Sequence, residues 1–177
     1  ISNGKPLSVV IANQQHYDTD RTKIVNDYLK PLLKDFAACG FDTTYVVPTI
    51  DFFSKEIYNY DVIFLLTHGN FNSVSKKHFF ATGEELGKAK KTKEDDPSQN
   101  YIDAWYDNLQ SMIEKTKYKG TRLIGSGWNE EKRGSTWYWV GHPCLYEDFF
   151  KDKDNGGFAE GRFKQNSVFF STACSSM

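Results

Sequence analysis

Two short stretches carry side chains that could do chemistry together. In "YDVIFLLTHGNF", Tyr60 to Phe71, an apolar run ends in an imidazole and a glycine, His68 and Gly69. In "SVFFSTACSSM", Ser167 to Met177, another apolar run ends in a thiol, Cys174, among small residues. A thiol with an ordinary pKa near ~8.5 is mostly protonated at neutral pH, and an adjacent imidazole makes it a nucleophile by taking that proton. The same imidazole can later protonate a leaving amine. Gly69 lets the main chain approach a substrate, and its N–H can face a developing oxyanion, with the N–H of Cys174 as second donor. Ala173 and Ser175 are small and leave the sulfur accessible. A lone cysteine is more often a small core hydrophobe. Cys39, on the apolar helical face of "FAACGF", fits that description, whereas Cys174 lies past its strand among Ser and Thr.

For His68 and Cys174 to meet, the strands before them must end at one edge. "LSVVIAN" (Leu7 to Asn13), "TTYVV" (Thr43 to Val47) and "DVIFLLT" (Asp61 to Thr67) read as strands, apolar on both faces and separated by helical patterns. The first helix carries Ile24, Val25, Tyr28, Leu29, Leu32, Leu33 and Phe36 at helical spacing, with N-caps among Asp18 to Asp20 and a stop at Gly40. Pro31 is expected to kink it. "TIDFFSKEIYNY" reads as a short helix capped by Thr49. Such a β-α-β-α-β order indicates an α/β fold, a three-layer sandwich with a mostly parallel sheet. Right-handed crossovers put all strand C-terminal ends on one edge, where open α/β sheets bind ligands.

Further along, "KKHFFATGEEL" holds a short aromatic strand, half of a hairpin, and Gly87 to Asn100 reads as a charged surface loop. "YIDAWYDNLQSMIEKTKYKG" is a helix with Ile102, Trp105, Tyr106, Leu109 and Ile113 on a core-facing stripe. "TRLIGSG" reads as a short strand ended by glycines. Thr136 to Val140 reads as an aromatic strand, with a helix beginning at Pro143. "SVFFSTAC" is the last strand.

The bulk numbers set bounds. The 177 residues suffice for one domain with a core. A net charge of −1 gives no electrostatic case for nucleic acid or anionic lipid. No apolar run is long enough to span a bilayer. Three cysteines cannot all pair within the chain, so at least one thiol is free. The sequence begins at Ile1 rather than a methionine, as it would after removal of a leader, so the compartment is not legible.

An apolar strand ending in His-Gly, "VIFLLTHG", followed later by one ending in Ala-Cys, "NSVFFSTAC", resembles the caspase-like (clan CD) cysteine peptidases: caspases, clostripain, gingipains, legumain and separase. "FFATGEEL" between them also resembles bacterial caspase-like sequences. The resemblance runs from about residue 7 to residue 174 and keeps the histidine first. It implies a caspase-hemoglobinase-like fold and endopeptidase activity, with Cys174 as nucleophile, His68 as general acid and base, and Gly69 as oxyanion donor. It implies no cofactor and a peptide or protein substrate. In that family the sheet continues past the cysteine, whereas this sequence stops at Met177. The expectation is one caspase-like domain over residues 1–177 without its C-terminal segment, which a second chain or further sequence would supply.

Two other readings compete: a non-catalytic caspase-like scaffold or recognition domain, and a flavodoxin-like ligand-binding domain. The first strand-helix turn, "ANQQHYDTD", has no glycine-rich phosphate loop, which weighs against the latter. His16 follows the first strand and belongs to the same edge as a candidate substrate contact, its simpler role being that of a loop histidine. His78 and His142 read as structural or surface residues. "HPC" (His142 to Cys144) lacks the second ligand pair that zinc requires, and Asp95 and Asp96 read as solvated loop charge rather than a cation site.

Overall fold

Val9, Val10, Ile11 and Ala12 are all completely buried, which requires a strand covered on both faces. They belong to β1 (Ser8–Asn13), which lies between β2 (Asp42–Val46) and β3 (Val62–Leu66) in a parallel sheet of order β2-β1-β3-β9, with β9 at Val168–Ser171. The computed structural model describes residues 6–72, 76–92 and 96–171. Among the described residues the strands form two sheets rather than one, and the chain is an α/β protein in which a parallel sheet is joined to an antiparallel one.

The parallel sheet is covered on one face by a helical segment in three pieces: α1 (Thr19–Ile24), a π-type turn (Val25–Leu29) and α2 (Lys30–Ala38). Asp18 caps α1 by accepting from the N–H groups of Asp20 and Arg21. The helix runs on through Pro31 instead of breaking there. Lys30 N–H reaches back five residues to the Val25 carbonyl, and this widened turn makes room for the ring at the second residue of α2. Val25, Leu29 and Leu33 pack onto Ile11, Leu66, Tyr45 and Phe64. Ile24 and Tyr28, expected on the buried stripe, face outward, and Cys39 at the end of α2 is exposed rather than a core thiol. The stripe is narrower because a thin apolar seam is all the sheet offers this helix.

The opposite face carries Val10, Ala12, Ile63 and Leu65 into the main core. There they meet Phe52 and Phe53 from a π-type turn (Phe52–Glu56), which runs into a 3₁₀ turn (Ile57–Asn59). Thr49 caps this segment, its Oγ1 accepting from Phe52 N–H at 3.1 Å.

The second sheet holds β4 (Gly69–Asn72), β5 (Lys77–Ala81), β6 (Gly87–Lys90), β7 (Ile124–Arg133) and β8 (Thr136–Tyr146). β8 pairs with β7 along its whole length, and its other flank takes β6 over one half and β5 over the other. β6 corrects the reading of Gly87 to Asn100 as a loop. Lys88 and Lys90 are exposed while Ala89 is buried, the alternation of a strand pairing on one side. β7 and β8 turn through Gly134–Ser135, with Gly134 at a φ of +64°.

Neither the glycines of "IGSG" nor Pro143 ends a strand, contrary to expectation. Pro143 falls where neither β5 nor β6 pairs with β8, so its missing N–H costs no ladder bond on that flank. Gly127 faces Cys144 so closely that an added Cβ would lie 2.6 Å from its sulfur. Helix α3 (Gln99–Ile113) packs on this sheet with Trp105, Leu109 and Ile113, which join the main core, while Tyr106 faces out. The Trp105 indole lies close against Gly141. Among the described residues no helix is long and apolar enough to cross a membrane.

Gly141→Ala would put a methyl group 2.6 Å from the Trp105 ring, which cannot retreat from a packed core. The expected loss of stability is about 1–3 kcal/mol. It is read as a lower urea midpoint at unchanged slope, and an unaltered midpoint would mean that α3 packs otherwise.

Candidate active site

β1 and β3 end level, with Asn13 opposite Leu66. The chain therefore leaves both strands at the same edge. Residues 14–16 follow β1, and Thr67 and His68 follow β3 before β4 begins at Gly69. His16, His68 and Gly69 thus share the carboxyl edge of the parallel sheet. Cys174 lies outside the described residues.

The main chain at His68 is fixed on both sides. Its N–H donates to Gln14 Oε1 at 3.2 Å, and its carbonyl accepts from Ala81 N–H at 2.8 Å. Thr67 Oγ1 donates to the Ala81 carbonyl at 2.6 Å, locking the step from the parallel sheet into the antiparallel one. Because the His68 carbonyl is the group bonded to β5, the alternation of an antiparallel ladder turns the Gly69 N–H away from β5. Among the described residues no group hydrogen-bonds the His68 ring, so both of its nitrogens are open for chemistry.

The His68 pKa lies below the ordinary imidazole value. Burial is the main cause, and the nearby charges of His142 and Arg21 act in the same direction against the opposing pull of Glu131 and Asp18. At neutral pH the ring is neutral and can accept a proton. His16 is also shifted down, again mainly by burial. Its Nδ1 lies 3.3 Å from the Gln14 carbonyl and its ring lies against Tyr17, with centroids 3.7 Å apart. Tyr17 in turn lies under the Arg133 guanidinium, 4.7 Å away.

Behind His68 sits a group of residues whose role the sequence did not disclose. His142 is 1% exposed and Glu131 is 1% exposed, and His142 Nε2 lies 2.9 Å from Glu131 Oε1. Arg133 reaches Glu131 Oε2 and Glu85 with 2.8 Å contacts from one nitrogen. Burial tends to raise the Glu131 pKa, but the hydrogen bond and charge of His142, helped by Arg133 and Asn129, outweigh it and hold the group at about 2. Glu131 is thus ionised in a nearly dry setting, between the His142 ring and the Arg133 guanidinium. Gln14, also buried, links this pair to His68: its Oε1 serves the His68 N–H, so its amide nitrogen faces His142 Nε2 at 3.3 Å.

Gln14 and Glu131 escaped sequence reasoning, and His142, read as a structural or surface residue, is buried. "NEEKR" has the look of a solvated charge run, and nothing local shows that β7 folds Glu131 inward. The signal that could have pointed to His142 was its place in an otherwise apolar run, "WVGHPCL". His78, by contrast, is exposed on β5. Cys144 is buried, and burial pushes its thiol up to about 12, so it is inert. Among the described residues no group of three or more His, Cys, Asp or Glu is placed to hold a metal ion.

Compared with family models, curated proteins and solved structures, the chain matches none.

The geometry of the Glu131 carboxylate sets a pH-dependent contribution to stability. Its pKa is depressed in the folded chain relative to ~4.3 for an unfolded glutamate. The stabilisation is therefore complete above about 4.3 and is lost as pH falls through about 2. Glu131→Gln removes the buried carboxylate that His142 and Arg133 share, leaving Arg133 only Glu85, and the expected loss near neutral pH is about 3–5 kcal/mol. Urea unfolding of both proteins across pH should show that gap closing on acidification. A gap of constant size down to pH ~2 would mean that Glu131 is not the charged member of the pair.

Proposed function

We propose that the chain is a caspase-like cysteine endopeptidase with a three-layer, caspase-hemoglobinase-like core, using His68 and Cys174 as a dyad. One observation carries the reading. β9 runs parallel to β3 with Ser171 opposite Leu65, and His68 and Cys174 each follow their paired residue by three positions. That equal spacing in sequence from a described strand pair supports a dyad at the carboxyl edge of the sheet. An imidazole with no hydrogen-bonded partner among the described residues, held neutral at a sheet's carboxyl edge, suits a general base.

In this reading His68 takes the proton from Cys174 Sγ, and the thiolate attacks the carbonyl carbon of a peptide bond. The carbonyl oxygen becomes an oxyanion facing the N–H groups of Gly69 and Cys174. His68 then gives its proton to the departing amine as the C–N bond breaks, leaving a thioester. A water molecule, deprotonated by His68, attacks that thioester. The acid product leaves, and the proton returns to sulfur. Peptide or protein is the substrate, and the steps need no cofactor.

The test uses alkylation by iodoacetamide in a Cys39→Ser background, because Cys39 is exposed and labels by itself. Cys144 is silent, being buried and protonated. The expected result is rapid modification of Cys174, slowed roughly 10²-fold or more by His68→Ala. Hydrolysis of a mixed peptide library should disappear in Cys174→Ala. Labelling of Cys174 that is indifferent to His68, with hydrolysis unchanged in Cys174→Ala, would overturn the reading and favour a scaffold role.

A further inference from the structure

Two contacts fix how the main chain of β4 is turned. The His68 carbonyl accepts from the Ala81 N–H at 2.8 Å, one step outside the Gly69–Phe80 pair. In an antiparallel ladder that placement makes Gly69 and Phe80 a pair without mutual hydrogen bonds, and Phe71 with His78 the next such pair. β5 keeps the same phase, since the His78 N–H turns away from β4 and donates to Glu147 Oε2 at 3.4 Å. The N–H and carbonyl groups of Gly69 and Phe71 therefore all face the outer flank of β4. β4 is the end strand of its sheet, and no strand among the described residues pairs with that flank.

We propose that this flank is the binding edge for the main chain of an extended peptide substrate, which adds to β4 as an antiparallel strand. The inference rests on the reading of Gly69 as oxyanion donor in a cysteine peptidase and adds how the peptide is held beside it. The Gly69 N–H bonds the carbonyl to be cleaved. The residue that owns this carbonyl stands opposite Gly69 and returns its own N–H to the Gly69 carbonyl. Residues two apart are about 7 Å apart in both extended chains, so the substrate residue two earlier stands opposite Phe71 and exchanges both hydrogen bonds with it. The residue between them turns its N–H and carbonyl away from β4.

The direction follows from the chemistry. Running antiparallel, the peptide passes Phe71 first and Gly69 second, so the amine side of the scissile bond continues toward His68, which protonates it. Gly69 has no side chain to hold the incoming strand off, and it is buried, which shelters the bond to the scissile carbonyl from water. β4 has four residues, just enough for the two outward-facing positions. Recognition of this kind is strand addition, in which main-chain bonds hold the peptide whatever its side chains.

The test replaces single substrate N–H groups by ester oxygens, in the sequence that the protein cleaves best from the mixed peptide library. Exchange of the N–H two residues before the cleaved carbonyl removes the bond to the Phe71 carbonyl, and kcat/KM should fall roughly 3- to 10-fold. The same exchange one residue before the cleaved carbonyl should leave kcat/KM unchanged. Equal effects at both positions, or none at the first, would overturn the proposal, and this measurement needs no variant to fold. Phe71→Pro deletes an N–H that makes no bond to β5, so the ladder is kept. It should lower kcat/KM by a similar factor relative to Phe71→Ala, and equal values in two folded variants would also overturn the proposal. A further readout needs no turnover: in Cys174→Ala, excess library peptide should slow hydrogen exchange at the Phe71 N–H. Slowed exchange with no hydrolysis by the unaltered protein would sink the peptidase reading and keep the edge as a peptide-binding strand. Hydrolysis by the unaltered protein with unchanged exchange in Cys174→Ala would sink the edge alone.

Discussion

The level ending of β1 and β3 is the constraint from which the site follows. Two fully apolar strands pair in parallel, and their register is fixed because a slip of one residue would turn Val10, Ala12, Ile63 and Leu65 out of the main core. With the register set, Asn13 and Leu66 finish side by side, and the polar residues that follow emerge together. Gln14 N–H donates to the Leu66 carbonyl at 2.8 Å, and its side chain crosses to His68. Asn13 is engaged at the same level, its Nδ2 donating to Tyr45 Oη at 2.9 Å and its Oδ1 accepting from Gln15 N–H. Strand burial thus fixes an edge of hydrogen-bonded amides on which an imidazole can be held in place.

The antiparallel sheet solves the second problem, which is keeping water out without leaving charges unpaired. β8 and β7 lay Val140 and Cys144 against the seam, but the same face also carries His142 and Glu131. Removing such groups from water is unfavourable by several kcal/mol per ion, so they persist only in an alternating series. Glu131, Arg133 and Glu85 form that series, with His142 hydrogen-bonded to Glu131 at the buried end. Asp18 fastens the seam to the helical layer by capping α1 and accepting the Lys132 N–H. One buried charge set therefore joins the two sheets and stands behind the site, so changes at Glu131 touch both stability and the electrostatics of His68.

What the sequence made legible was the part governed by local pattern. β1, β2 and β3 show as apolar runs between helical spacings, and Asp18 and Thr49 are caps that any reading of short polar residues before a helix finds. β6 was hidden because an edge strand with outward lysines looks like a charged loop until Ala89 is seen buried. β7 and β8 were cut short because glycine and proline usually punctuate. Here Gly127 and Gly141 exist to admit Cys144 and Trp105, and Pro143 occupies a gap in the ladder. Cys39 was misread because helical spacing gives a face but not how far that face extends. Glu131 was illegible for a deeper reason: its partners come from β8, the turn after β5 and the strand exit at Gln14, so only tertiary structure makes a buried carboxylate tolerable.

His68 and His142 are the same residue type under opposite constraints, and the contrast explains which of them can do chemistry. His142 has a partner at each nitrogen, the Glu84 carbonyl and the Glu131 carboxylate, and these hold its ring in place. His68 is held only through its main chain, and among the described residues its ring nitrogens bond to nothing. A structural imidazole is one whose hydrogen bonds are complete; a working one must leave a nitrogen free for a proton that comes and goes.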